Sequence, residues 1–487
     1  YERALEINPK DADAWCNKGV ALNFQGKHDE AIRAFDRAIE LNPELVDALN
    51  NKGQVFYDRG NYDEAAKAYD QAIKIKPQSA QAWYNKGLAL DAQDKFDEAV
   101  IANEKAIEIN PKFADAWTRK GWALANQGKY NDAIKAYDAA IDLNPEDVEA
   151  WNNKALSFYS QGKYDEAQKA SNRSIEINPQ HEEAWNNKGL TLFSQGKYDE
   201  ALIAFNKSIE INPQYILAWG NKGNVFFEQG KYADALKAFN KSIEIDPQLA
   251  DVWYNKGNTL KSLSMYDEAI KAYDRAVKLD PTSAIFWSNK GLALYYQGKY
   301  DEGIEAFNRA TDLNPQLVEA LNNKGLILSA KGEYDDAIQA YNKAIDLNPQ
   351  YAQAWSNKGL ALSGQGKYDE ALRAFNKAID LDPQLMEAWG GKGIAFHDQG
   401  KYDEAVKAYD RALAMNPQDA YIWNDKGCDL GQQGNYIEAL QAFDKSIEIN
   451  PLLVNAWSNK GRALKLLGRA TEADAAFTKA RELEYTS

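Results

Sequence analysis

Two cysteines, three histidines and three methionines are all that 487 residues contain of those types. Cys16 and Cys428 lie near opposite ends of the chain, too far apart in an extended array for one disulfide. Free thiols fit a reducing compartment, so a cytoplasmic location is expected. His28, His181 and His397 are isolated from one another and from both cysteines, and no zinc-ligand spacing occurs. No metal and no cofactor is therefore expected. No run of about 18 apolar residues is present, so no segment reads as a bilayer span. A charged-then-apolar N-terminus of the signal-peptide kind is also missing. Basic residues are the minority, 57 against 72 acidic, for a net charge of −15. That disfavours nucleic acid, which calls for a basic stripe, and anionic membranes.

Catalytic constellations are missing too. Gly390-Gly391-Lys392-Gly393 lacks the GxxxxGK[ST] pattern of a phosphate loop. Acidic pairs such as Asp199-Glu200 recur at predicted helix starts, where the helix dipole favours negative charge. No catalytic residue is assigned, and the chain is not expected to be an enzyme.

What is present is repetition. Twelve tryptophans fall in one slot of a 34-residue period, from Trp15 and Trp83 to Trp423 and Trp457. Leu49 and Leu321 fill the two remaining slots, and all fourteen prolines, Pro9 to Pro451, share one phase. Fourteen repeats thus span residues 12–487 without an insertion, and a fixed period of this length is the signature of a stacked array. Residues 1–11 read as the tail of a truncated preceding repeat, since Tyr1 stands where Phe35 stands one period later. The last repeat, 454–487, is atypical: Ala470 replaces the usual Tyr and the terminal Pro is missing. It reads as a C-terminal end.

Each repeat parses into two helices. In 352–385 the first spans roughly Ala352–Gly364, and Gly366 stops it in the left-handed conformation glycine tolerates. The second spans roughly Asp369–Asp382, with acidic residues at its start and Pro383 ending it. Neither helix buries its apolar stripe alone, and stacking neighbours does so. Asn103 in the repeat 80–113, and Ala155 with Ser171 in 148–181, break the apolar pattern, so looser packing is expected there.

Trp355, Gly359, Tyr368, Ala371, Phe375, Ala378 and Pro383 together resemble the tetratricopeptide repeat (TPR) family, whose pattern has these residues in this order. The resemblance covers the whole chain in register. It implies an all-α, right-handed superhelical solenoid of tandem helix-turn-helix units, with a concave face formed mainly by the first helices that binds peptides or extended segments. A chaperone-type carboxylate clamp is not expected. Around Arg119 its slots hold Asn50, Gln54, Asn85 and Asp115, without the required lysines.

Two recurring rows invite a ligand reading but suit structure better. Buried tryptophans hide about 150–250 Å² each, so twelve of them belong in the core. Lysine precedes the repeat glycine in all fourteen repeats, Lys18 to Lys460, and Lys stems cover apolar surface while the ammonium stays wet.

The asparagine row carries the binding hypothesis. The residue two after the Trp slot is Asn17, Asn51, Asn85, Asn153, Asn187, Asn221, Asn255, Asn289, Asn323, Asn357 and Asn459, with Arg119, Gly391 and Asp425 as exceptions. Asn is a mediocre mid-helix residue, so local stability does not select it. Its amide both donates and accepts, which suits the backbone of an extended chain. The row resembles the asparagine ladder in the TPR superhelix of O-linked N-acetylglucosamine transferase. The competing reading is that Asn bridges helices within the array. At i+3 and i+6 from Asn lie Leu156, Leu190, Leu292, Leu326 and Leu360, and then Tyr159, Phe193, Phe227 and Tyr295. These form either an apolar binding stripe or packing against the adjacent repeat. Four residues before Asn the row is often acidic: Asp13, Asp47, Asp115, Glu149, Glu183, Asp251, Glu319 and Glu387.

The sequence therefore predicts a protein-interaction scaffold that takes extended neutral or basic segments in an acidic groove. Two alternatives stand beside it. The chain could be the substrate-recruiting arm of a larger, glycosyltransferase-like enzyme whose catalytic domain lies outside it. It could also be a structural solenoid that self-associates end to end.

Overall fold

The computed structural model describes residues 1–484; the final residues of the 454–487 repeat, Tyr485, Thr486 and Ser487, lie outside the described residues. Among the described residues there are 29 α-helices and no strand. They fall into two units, Tyr1–Pro247 and Gln248–Ser487. The first runs from helix Glu2–Ile7 to Tyr232–Ile245, the second from Ala250–Ser262 to Ala470–Glu484. Within each unit a helix touches only helices one or two places along the chain. This is the all-α solenoid of helix pairs that the 34-residue period predicts.

Local chemistry sets each pair. Helix Ala352–Gly364 ends where Gly366 takes φ 73°, which lets Lys367 N–H reach Leu362 O at 2.9 Å. That is the Schellman closure, and it satisfies a carbonyl the helix leaves open. The second helix, Tyr368–Leu381, starts one residue before the expected Asp369. Twelve glycines hold the loop slot at positive φ, whereas Asp94 and Ser264 are forced to φ 58° and 59° there.

The core is shared between successive pairs. Phe35 and Ala38 from one second helix cluster with Ala48 and Val55 from the next first helix. The largest fully buried side chains are second-helix aromatics such as Phe35, Tyr137, Tyr273 and Phe375. Each lies flat on the glycine sixteen residues earlier. A Cβ on Gly359 would stand 2.7 Å from Phe375 Cε1, so the glycine is a packing requirement. The two exceptions that sequence marked as loose behave differently. Ala155 and Ser171 are both buried, and the added methyl occupies space that the missing ring vacates. Asn103 is fully buried, donates to Ala99 O at 2.9 Å, and leaves its own carbonyl oxygen without a partner.

The tryptophans are half-buried rather than core, a correction to the sequence expectation. Their recurrence is tied to that of proline. Trp355 Nε1–H donates to Pro349 O at 3.2 Å, and the same bond runs from Trp15 to Pro9 at one end and from Trp457 to Pro451 at the other. The lysine three residues on covers the exposed ring face, with Nζ 4.9–5.5 Å from the ring centroid at every one of the twelve tryptophans. A cation over an indole face is attracted by the ring quadrupole, and the stem excludes water from the ring. Seven of these ammonium groups, and that of Lys52 beside Leu49, also meet a carboxylate sixteen residues earlier, as in Lys154 with Asp138 at 2.5 Å and Lys290 with Asp274 at 2.7 Å.

Candidate functional site

Successive first helices bring the ladder residues together. Asn17, Asn51 and Asn85 line one cleft of about 600 Å³ with Asp13, Asp47, Asn50, Gln54 and Gln81. All eight acidic residues of the row four before Asn are exposed. Asn153 and Leu156 share a smaller cleft of about 230 Å³ with Trp122 and Tyr130.

The amides of the ladder are not idle. Asn187 Nδ2–H donates to Asn152 Oδ1 at 2.8 Å, and Asn221 donates to Asn186 Oδ1 at 3.0 Å. Asn357 reaches Asn322 Oδ1 at 2.9 Å, and Asn459 reaches Asn424 Oδ1 at 3.0 Å. Asn289 donates to Tyr254 Oη at 3.2 Å, and Asn51 makes a long contact, 3.8 Å, with Cys16 Sγ. Each bond spans 35 residues, from a rung to the side chain just after the Trp slot of the preceding repeat. So the ladder bridges neighbouring repeats at these positions. A carboxamide has two donors and an acceptor, and the bridge uses one donor. The rungs differ in what remains. Asn17 is exposed, whereas Asn357 is buried and also accepts from Gln353. Asn289 accepts from Lys261 Nζ at 2.8 Å, Asn85 from Gln81 at 2.8 Å, and Asn323 from its neighbour Asn322 at 3.4 Å. Asn255 is half-buried.

Sequence profiles of the tetratricopeptide repeat match residues 182–215, 204–237, 223–264, 250–283, 288–352, 356–420, 420–453 and 454–485. The chain belongs to the tetratricopeptide repeat family. The profile of the cilia and flagella-associated protein 70 C-terminal domain matches residues 3–184. No curated protein matches the chain in sequence. Among solved structures, the APC/C hetero-tetramer Cut9–Hcn1 is similar at TM-score 0.50 and 16% identity, over 93% of this chain and 96% of that one. Yeast Tom70 gives 0.39 and 19%, over 91% and 98%. YrrB, described as a TPR protein with an unusual peptide-binding site, gives 0.33 and 27%, over 38% and 95%.

The apolar rows of this tetratricopeptide array divide. Leu156 and Leu360 are each 42% exposed, while Leu190, Leu292 and Leu326 are half-buried. Tyr159, Phe193, Phe227 and Tyr295 are half-buried too, because each leans on the tyrosine that opens the next helix. Ring centroids are 5.7 Å apart for Tyr159–Tyr164 and 5.8 Å for Phe193–Tyr198. Phe227–Tyr232 and Tyr295–Tyr300 follow at 5.6 and 6.1 Å. These rings lean on their own helix pair, and Phe193 and Tyr295, with Leu190 and Leu292, also pack against clusters that contain Val225 and Ile327 of the next repeat, as one of the two sequence readings had it.

The same row also holds Asp91, Lys261 and His397, whose packing the sequence did not show. Asp91 is buried with neither carboxylate oxygen partnered, and burial pushes its pKa up to about 7 against the opposing pull of Arg119. Lys261 is the group that holds Asn289, and burial lowers its pKa. His397 Nδ1 makes a short contact with the fully buried Asp429, whose carboxyl burial pushes upward despite that partner. Aligning the repeats on Trp places all three in one column with Tyr57, Tyr159, Phe193, Phe227 and Tyr295.

One histidine is less isolated than the sequence suggested. Glu149, His181 and Glu183 each present a ligand atom within 4.8 Å of the other two. The spacing, 32 residues back and two forward, follows from stacking and matches no familiar ligand motif. His181 Nε2 lies 3.3 Å from Glu149, and this hydrogen bond raises the histidine's pKa and lowers the glutamate's. Glu183 accepts from Asn152 at 3.4 Å, and His181 Nδ1 is buried without a partner. A metal-bound imidazole normally donates its second N–H to an acceptor. His181 and Glu149 thus form a hydrogen-bonded contact between neighbouring repeats beside the ladder. No helix among the described residues is long and apolar enough to cross a membrane.

Proposed function

We propose that the chain is a protein-interaction scaffold whose first-helix face holds extended neutral or basic polypeptide segments. The observation that carries this is the cleft shared by Asn17, Asn51 and Asn85 with Asp13 and Asp47. The interrepeat bridges support the reading, because at Asn187 and Asn221 they fix the carboxamide with one donor and leave donor and acceptor capacity over. Packed helices lie roughly 8–10 Å apart and an extended chain advances about 3.3 Å per residue, so one rung meets every third ligand residue. Each hydrogen bond nets only about 0.5–1.5 kcal/mol, so affinity comes from several rungs together. The exposed carboxylates beside them favour positive segments and add salt dependence.

A random array of twelve-residue peptides, graded from net −4 to +4, tests this. Binding to the full chain should rise with positive charge, weaken with salt, and fall about tenfold or more when Asn17, Asn51 and Asn85 are changed together to Ala. Unchanged binding by that variant at unchanged helicity, or preference for acidic peptides, sinks the proposal.

A further inference from the structure

The column six residues after the ladder slot changes character in helix Ala114–Asn126. It holds Ala125 there, where Tyr159, Phe193 and Phe227 stand in the next three repeats. Those three rings lean on the tyrosine that opens the following helix, whereas Tyr130, the opening residue here, has only a methyl group in that slot. The cleft of about 230 Å³ that Asn153 and Leu156 share lies at this place. Its other walls include Tyr130, Tyr137 and Trp122, the one tryptophan outside the repeat slot. A cavity of roughly 150 Å³ accepts benzene, so this space suits a side-chain ring.

Two polar groups of the lining are unsatisfied among the described residues. Tyr137 is fully buried, and its hydroxyl has no hydrogen-bond partner. The nearby Ser157 Oγ–H is given to Asn153 O at 2.9 Å instead. Six repeats later the same hydroxyl, that of Tyr341, meets Ser329 Oγ at 3.3 Å, and Ser329 occupies the slot of Ala125. Tyr137 Oη is therefore directed toward the slot that Ala125 leaves open. Asn153 makes no bridge to the preceding repeat, because the residue 35 back is Thr118, whose hydroxyl donates to Asp147 at 2.7 Å. Its half-buried carboxamide keeps donors and acceptor for a ligand. Asn23, Ser363 and Gly431 also put no ring in the slot, but Phe35, Phe375 and Phe443 face them with no hydroxyl to satisfy.

The chemistry of the lining narrows the occupant. No charged side chain lines the cleft, and the charges that act on the Tyr137 hydroxyl, Arg119, Asp91 and Glu149, stand outside it. A charged tip would be desolvated without a counter-charge, whereas a purely apolar one would leave the buried hydroxyl unpaired. We propose that this cleft receives a tyrosine side chain of the bound polypeptide, its ring against Trp122, Tyr130 and Leu156 and its hydroxyl at Tyr137 Oη and the Asn153 carboxamide. This rests on the scaffold reading above and adds a residue preference to it. The ladder grips a backbone without reading its sequence; the slot at Ala125 reads one side chain.

The probes are unlabelled twelve-residue peptides of Gly, Ser and Lys at net charge +4, blocked at both ends, with Tyr, Phe or Ala at the sixth position. Each is titrated into the full chain by calorimetry. The Tyr peptide should bind about tenfold or more tightly than the Ala peptide and several-fold more tightly than the Phe peptide. Ala125→Phe puts into the slot the ring that Phe193 and Phe227 supply, and the Tyr-over-Ala ratio should fall to about one. Tyr137→Phe removes only the hydroxyl, as Phe205 and Phe239 do in the same slot, and the Tyr-over-Phe ratio should fall below about twofold. Should Ala125→Phe lose helicity, Tyr137→Phe decides alone. Equal binding of the three peptides overturns the tyrosine site; loss of that binding in the Asn17, Asn51 and Asn85 triple variant would leave the ladder reading standing without it. No saturable binding by any peptide sinks both. A Tyr peptide no tighter than the Phe peptide, or a preference for Tyr that either folded variant leaves intact, also overturns the site. If N-acetyl-tyrosinamide binds as tightly as the Tyr peptide, the occupant is a small molecule rather than a polypeptide, and the proposal fails.

Discussion

Ser171→Phe should be destabilising on its own and stabilising once Ala155 is also changed to Gly. In the neighbouring repeats the aromatic ring rests on a bare glycine, and a Cβ there would stand 2.5 Å from the ring at Gly189–Phe205 and 2.7 Å at Gly359–Phe375. Relaxed carbon contacts lie at about 3.5–4.0 Å, so a ring at 171 meets the Ala155 methyl head-on. Such overpacking costs about 1–3 kcal/mol. Ala155→Gly alone loses about 1 kcal/mol of helix propensity and leaves a void beside Ser171. Together the two changes admit a ring that buries about 150–250 Å², a gross gain of about 4–6 kcal/mol before entropy and strain. The double variant should then exceed either single one, with a coupling energy of about 1–3 kcal/mol. Urea unfolding of the four proteins measures it. Hydrogen exchange over Tyr164–Ile177 gives the local value, since repeat arrays open in segments. Additivity within about 0.5 kcal/mol would refute the claim that Ala155 and Ser171 compensate each other.

Ser264→Gly should stabilise the chain by about 1 kcal/mol, because Ser is held at φ 59° where glycine sits without strain; Asp94→Gly should gain less, since Asp tolerates that region better. Thermal melts of the two variants decide the order, and a larger gain at Asp94 contradicts it. Asp91 should make stability fall as pH rises. Its folded pKa of about 7 exceeds the unfolded value near 4, so between them the folded chain holds a proton that the unfolded chain lacks. The loss, of the order of a few kcal/mol, is complete above pH 7 and should vanish in Asp91→Asn. A pH profile of hydrogen exchange over Ala80–Asp91 that Asp91→Asn leaves unaltered counts against it.

The 34-residue register made the helix pairs legible, because Trp, Gly, Tyr, Ala and Pro mark the same contacts each time. The ladder was legible as a row, with bridging as its competing reading, but the partners of the bridge were not legible. Asn187 reaches Asn152, 35 residues away, and that pairing appears only when the side chain after Trp is aligned as its own column. Hydrophobicity placed the tryptophans in the core, yet the side chain that covers them is the adjacent lysine, which hydrophobic patterning treats as solvent-facing. Asp91 was passed over and His397 read only as isolated, because their column also holds Asn23, Ser329, Ser363 and Lys465, and nothing in it marks which polar side chain is buried.

Helices that touch only their near neighbours also set how the chain carries load. Tension applied along either unit finds no long-range clasp to break at once. It should be relieved one helix pair at a time, each yielding pair releasing 34 residues and roughly 110 Å of contour. The asparagine bridges and the proline-anchored tryptophans lie across or beside each junction, so junctions without them should give way first. A force trace would then be a sawtooth whose lowest teeth mark the repeats around Leu49 and Leu321.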